Sequence, residues 1–259
     1  MLRIVFFTFY YPPDLCAGSF RAVALAKALS SKMETDDELH IITTHPNRYT
    51  NHRPMAVDFE VDGKVVVHRI SVTGLQSGML PQAQSFGVYA LSAYRLCRKL
   101  SPDFLIGTTS RLMTGILTGV SAFRIRCHYF IDLRDIFSET ISDLFSRKNW
   151  LLGWVTKHTF SLIERRLFHG AEGVNVVSEE FPNYFQVKGV DISDWSYFPN
   201  GVDQEFVNFQ TEEGSTLKDV KTILYAGNIG SGQGLDTVLP TVLIDTIVLL
   251  PDRFPTILA

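Results

Sequence analysis

Cysteine is scarce in this chain, and its spacing suggests no paired site. Cys16, Cys97 and Cys127 stand far apart, with no CxxC pair and no Cys/His cluster. That argues against a disulfide framework or a zinc site and fits a reducing compartment. Charge of one sign is also lacking: the net charge is −3, so no global basic field calls for nucleic acid, and no nucleic-acid partner is expected. No apolar run reaches the roughly 20 residues of a membrane span. The nearest, residues 235–250, is broken by Asp236, Pro240 and Asp245. The opening Ile4-Val5-Phe6-Phe7 is too short for a secretory leader, and Pro12-Pro13-Asp14 follows with no small-residue cleavage site. The expected location is the cytoplasm. Internal repeats and low-complexity tracts are absent.

What remains is an apolar, α/β-patterned chain. Hydrophobic residues make up 46% of its 259 positions, ample for a buried core. Residues 2–8 form a short continuous apolar run, as in a central strand buried on both faces. A turn-rich loop follows, then Phe20, Val23, Ala24, Ala28 and Leu29 at helical spacing, then a second strand over residues 38–44. This β-loop-α-β opening is the unit of a doubly wound sheet. Residues 45–86 read as long loops with short strands such as 65–70, and a helix is predicted over 88–100. Strands are predicted at 102–108, 128–133, 173–178 and 195–198, with helices at 112–122, 151–168 and 179–188. The alternation predicts a parallel α/β sheet with Rossmann-like character.

Three stretches carry candidate chemistry. Residues 12–19 lie between a strand's carboxyl end and a helix start, where free N–H groups and the positive dipole end suit a phosphate. Gly18 lets backbone approach a ligand there, although Pro-Pro and Gly also serve a plain turn. This loop has neither GxGxxG nor GxxxxGK[ST], which argues against dinucleotide and P-loop readings. Asp132-Leu133-Arg134-Asp135-Ile136-Phe137-Ser138-Glu139 follows an apolar strand, so its charges are expected at the carboxyl edge of the sheet. A carboxylate there can orient an acceptor hydroxyl or take its proton, and Arg134 can pair with an acid or meet a phosphate. A solvated ion-pair cluster capping the next helix is the plainer alternative. Tyr225-Ala226-Gly227-Asn228-Ile229-Gly230 opens a second strand–glycine-loop–helix, suited to wrapping a diphosphate. His45 follows the second strand and is a further candidate ligand contact.

In this order and at these distances the motifs resemble the family 4 glycosyltransferases, with Val177-Ser178 and the hinge Pro199-Asn200-Gly201-Val202-Asp203 between them. The resemblance runs from residue 1 to about 238 and is nearest to bacterial O-antigen members, including fucosamine-type transferases. It implies a GT-B fold of two Rossmann-like domains and retaining transfer from a nucleotide-diphosphate sugar to a lipid-linked saccharide acceptor, with no cofactor and no metal. It further implies Asp135 as catalytic, Pro13, Ala17, Gly18, Asp132, Arg134 and Glu139 at the acceptor and phosphate loop, and Gly227, Asn228 and Gly230 near the donor phosphates. Ala17 stands where the family has the first glycine of a pair, and Ser138 where it has proline.

The expected organisation is an acceptor-binding domain over residues 1–205, a linker at 206–218, and at 219–259 the truncated start of a donor-binding domain. The family's later acidic motif, two glutamates eight residues apart, has no counterpart here. A catalytically inactive acceptor- or partner-binding module is therefore an alternative, and a sugar-nucleotide 2-epimerase a more distant one. Residues 147–158, with bases beside Trp150 and Trp154, suggest peripheral contact with the inner face of the plasma membrane. The competing and preferred expectation buries Val155, Phe160, Leu162 and Ile163 of that helix in the core. The loop over residues 71–86 is expected to face the acceptor.

Overall fold

Ile4-Val5-Phe6-Phe7 has no polar side to offer water, and it lies at the middle of a sheet covered on both faces. In the computed structural model, which describes residues 1–47, 54–72, 79–109, 112–136, 150–202 and 207, this run is β1 (Arg3–Phe7). The chain then forms α1 (Ala17–Lys32), β2 (Glu38–Thr44), β3 (Phe59–Asp62), β4 (Val65–Ile70), α2 (Met79–Leu100), β5 (Phe104–Thr108) and α3 (Leu112–Ile125). It continues with β6 (His128–Leu133), α4 (Trp150–His169), β7 (Gly173–Val176), α5 (Glu180–Val187) and β8 (Trp195–Tyr197). The eight strands form one sheet in the order β3-β4-β2-β1-β5-β6-β7-β8. All neighbours pair in parallel except β3 with β4. The order doubles back beside β1, so the connections after β1 and β5 diverge there, as in open doubly wound sheets that bind ligands at this edge.

Alternate residues of each central strand feed two cores. Ile4, Phe6, Leu39, Ile41, Val67 and Ile106 pack with Ala22 and Ala26 of α1. Val5, Phe7, Ile42, Leu105, Ile131 and Val174 join Tyr89, Ala93 and Cys97 of α2, Leu117 of α3 and Phe185 of α5. Gly107 allows α3 to close on β5: a Cβ there would fall inside the contact radius of Thr118 Oγ1.

Four expectations change. The loop at residues 12–19 ends early, because Cys16 is extended (φ −156°, ψ 159°) and Ala17 already begins α1. Small residues set that helix against the sheet: Gly18, Ser19, Ala22 and Ala26 are its buried stripe, and Phe20 is 48% exposed.

The described residues between 54 and 86 form more regular secondary structure than expected. Gly63-Lys64 makes a two-residue hairpin turn, with Gly63 at φ +57°, and pairs β3 antiparallel to β4. Helix α2 starts at Met79 rather than residue 88, which takes much of the expected acceptor loop into a helix. Pro81 is tolerated there because a first-turn N–H has no helical partner to lose. Phe86, Tyr89, Ala93 and Cys97 supply the buried stripe at spacings of three and four.

Helix α4 overturns the preferred burial pattern. Val155 and Leu162 are exposed and Phe160 and Ile163 only half-buried, whereas Gly153, Glu164, Leu167 and Phe168 face inward. Leu167 seats against Gly115 and Gly119 of α3, and that fit fixes the rotation of α4.

The chain divides into two units, Met1–Gly201 and Val202–Ala259. Apart from Val202 and Val207, the second lies outside the described residues.

Candidate functional site

Asp132 is the last residue but one of β6, in the middle of the sheet's carboxyl edge, where a carboxylate is costly unless it is paired. It is 1% exposed, and every approach to it is hydrogen-bonded. Arg21, one turn into α1, donates from Nε to both carboxylate oxygens (3.1 and 2.9 Å) and from Nη2 to Oδ1 (2.7 Å). Asn175 Nδ2 of β7 donates to Oδ1 (2.7 Å) and Thr108 Oγ1 of β5 to Oδ2 (3.1 Å). Arg21 spends its other donors on the chain leaving β8. It reaches the carbonyls of Phe198 (3.0 Å) and Pro199 (3.1 Å) and Asn200 Oδ1 (3.4 Å). One buried ion pair thus joins α1, three strands and the segment that runs toward the hinge.

The next residues sit above this base. Thr109 donates its N–H to the Asp132 carbonyl (2.9 Å), and its Oγ1 accepts from the Arg134 N–H (2.9 Å). Arg134 is half-buried, and among the described residues its Nε has no hydrogen-bond partner. Burial lowers its guanidinium pKa, opposed by Asp132 and Asp135, while Arg21 pushes the same way as burial. Asp135 stands exposed at the rim, yet the protein around it raises its carboxyl above the ordinary range, with Arg134 pulling it back.

The Pro-Pro loop is held from the β4 side. The Pro12–Pro13 peptide is cis. Arg69 Nη2 donates to the Pro12 carbonyl (2.9 Å), and buried Asp14 accepts the Asn47 N–H (3.2 and 3.3 Å). Tyr89 Oη bridges the carbonyls of Thr8 (3.1 Å) and Ile42 (2.8 Å) at the strand ends below. Among the described residues no side-chain cap hydrogen bond is made by Cys16 at the start of α1, and no acid occupies the helix's first turn, so its first N–H groups keep their positive potential. A groove of about 490 Å³ runs from Tyr11 and Pro12 along α1 to Lys64 and Arg69 on the β3–β4 side.

The structure therefore gathers Pro13, Ala17 and Gly18 at the head of α1, and Asp132, Arg134 and Asp135 at the end of β6. Arg21 links the two groups. Glu139, Gly227, Asn228 and Gly230 lie outside the described residues, as does Asp203 of the hinge. His45 is engaged with Asp58 (Nε2 to Oδ1, 2.7 Å). Sequence reasoning missed Arg21, Thr108 and Asn175. Asn175 carried a usable signal, being a polar residue inside a fully buried apolar strand, which demands a partner. As built, the site offers N–H donors and a half-buried guanidinium to an anion, beside an exposed carboxyl able to accept a proton.

The chain matches no protein-family model and no curated protein sequence. Solved structures do resemble it. Sucrose-phosphate synthase (tll1590) from Thermosynechococcus elongatus is 11% identical over 78% of this chain and 49% of that one, with a TM-score of 0.53. HepE from Anabaena, solved in complex with UDP-glucose, is 14% identical over 78% of this chain and 45% of its own, with a TM-score of 0.43. UDP-N-acetylglucosamine 2-epimerase from Rickettsia bellii is 12% identical over 77% of this chain and 45% of its own, at 0.42. At such identities the likeness is one of fold, and it rests on the first of these. The chain spans about half the length of each.

Proposed function

We propose that this chain carries the acceptor-binding domain of a sugar-nucleotide-dependent, retaining glycosyltransferase of GT-B architecture. The observation that carries the reading is the Arg21–Asp132 ion pair, which ties the N-terminal part of α1 to the end of β6, where Arg134 and Asp135 follow at one edge of the sheet. In this reading the α1 N–H groups and Arg134 hold an anionic group. Asp135 takes the proton of the acceptor hydroxyl as its oxygen attacks the anomeric carbon from the face the nucleoside diphosphate leaves, so that the sugar–phosphate bond breaks as the glycosidic bond forms and configuration is retained. Its raised carboxyl makes it a better base than an ordinary aspartate once ionised. Asp132 acts beneath them, holding Arg21 and the strand ends in register. Gly227, Asn228 and Gly230 would approach the donor diphosphate, and Glu139 the acceptor. The acceptor proposed is a lipid-linked saccharide of O-antigen or other surface polysaccharide synthesis, which would bring the protein to the inner face of the plasma membrane.

Transfer and donor-hydrolysis assays with a panel of nucleotide sugars and short-chain polyprenyl-diphosphate saccharides test this on the 259-residue chain. Turnover with retained anomeric configuration is the expected result. Acceptor binding seen by saturation-transfer NMR, weakened about tenfold in Arg134→Met but without turnover, would reduce the reading to an acceptor-binding module. Neither binding nor turnover would overturn it.

A further inference from the structure

Helix α4 turns its largest apolar side chains away from the core. Trp150 is 75% exposed and Trp154 54%, and Leu151, Val155 and Leu162 are exposed with them. At 100° per residue Leu151, Trp154, Val155 and Leu162 fall on the arc opposite buried Gly153, Glu164 and Leu167. Trp150 lies at the edge of that arc, about five turns before buried Phe168. Polarity also changes along the helix. The outward residues of its first two turns, Trp150, Leu151, Trp154 and Val155, carry no charge. Charges begin at Lys157 and continue with Arg165 and Arg166, beside His158 and His169. The helix's one acid, Glu164, is buried, so every charge it shows to solvent is basic. Trp154 packs against His158 with ring centroids 4.2 Å apart and the planes tilted by 39°, which holds the indole on the outer face.

We propose that this face of α4 is a docking surface for an anionic lipid bilayer, entered obliquely with the N-terminal end deeper. Two indoles and two aliphatic side chains match the boundary between headgroups and acyl chains. Lys157, Arg165 and Arg166 lie where their aliphatic stems pass along apolar surface while their charges reach lipid phosphates. A second copy of the chain fits worse, because two such faces brought together would oppose like charges. Among the described residues no helix is long and apolar enough to cross a membrane, so the contact is one that lies on the surface. The surface gives the proposed lipid-linked acceptor a means of delivery, and in that sense it rests on that reading. Its test uses neither sugar nor acceptor, so either can fail alone.

The test is flotation of the full chain with phosphatidylcholine vesicles, with and without about 30% phosphatidylglycerol. The expected result is recovery with the anionic vesicles only, reduced by high salt. Recovery should weaken about tenfold in Trp150→Ala/Trp154→Ala, and at least as much in Lys157→Glu/Arg165→Glu/Arg166→Glu. All these positions are exposed, and thermal melts equal to wild type show that the variants fold. Tryptophan emission should shift to the blue on adding anionic vesicles, and the shift should vanish in the double alanine variant. Equal recovery of wild type and both variants would overturn the proposal. So would absence of binding, or sedimentation showing self-association that the tryptophan changes abolish.

Discussion

Arg21 and Asp132, 111 residues apart in the chain, form a bidentate ion pair at the centre of the sheet's carboxyl edge. The two side chains are 15% and 2% exposed. A pair this buried is held in place by what surrounds it: Asn175 and Thr108 satisfy the carboxylate, and the Phe198 and Pro199 carbonyls satisfy the guanidinium.

Removing one partner should therefore cost far more than removing both. Arg21→Met is expected to destabilise the fold by about 3–5 kcal/mol, because it strands a buried carboxylate. Arg21→Met with Asp132→Asn should recover part of that loss. Urea denaturation of the two single variants and the double variant measures the coupling, and simple additivity would contradict it.

Packing at Gly107 gives a second expectation. Gly107→Ala should destabilise by about 1–3 kcal/mol, since its Cβ collides with Thr118 and the crowded core cannot give way cheaply. Adding Thr118→Ala, which removes the colliding hydroxyl and methyl, should restore a measurable part. A Tm for Gly107→Ala equal to wild type would show that α3 does not sit this close.

Acid should act through His68. Its Nε2 lies 3.0 Å from His40 Nδ1, and burial together with His40 pushes its pKa down to about 4. Around the pair stand Glu38, on His40 Nε2 at 3.2 Å, Arg3 on Glu38, and the Phe59 ring against His68. The folded pKa lies below the unfolded value near 6.5, so the unfolded chain takes up the proton first. The contribution is complete above about pH 6.5 and fades as pH falls toward 4, by about 1–3 kcal/mol. Urea midpoints measured across that window should fall in wild type and flatten in His68→Gln.

Asp135 separates chemistry from folding. It is exposed, so Asp135→Asn should leave the Tm within about 1 °C of wild type. If transfer occurs as proposed, the same change should cut turnover by about 10²–10⁴-fold, the usual range for losing a positioned base. Turnover close to wild type would remove Asp135 from the reaction.

Strands β2 and β6 were legible to the residue, at 38–44 and 128–133, because β-branched and aromatic residues concentrate there between polar breaks. Strand β3 was not, since all four of its residues are exposed and only Asp62-Gly63 announces the hairpin. In the candidate site, the carboxyl-edge position of residues 132–135 followed from the strand before them. That Asp132 turns inward while Asp135 stays at the rim did not, because it depends on which neighbours meet each side chain.

By itself the sequence determined the α/β alternation and the order of strands and helices, since both follow from local apolar period and turn chemistry. Tertiary structure alone decided which polar groups are spent and which remain available. Arg21, Thr108 and Asn175 reach Asp132 from three other elements, and glycines on α3 fix which face α4 turns outward. Both outcomes come from contacts between distant residues, and no local pattern records them.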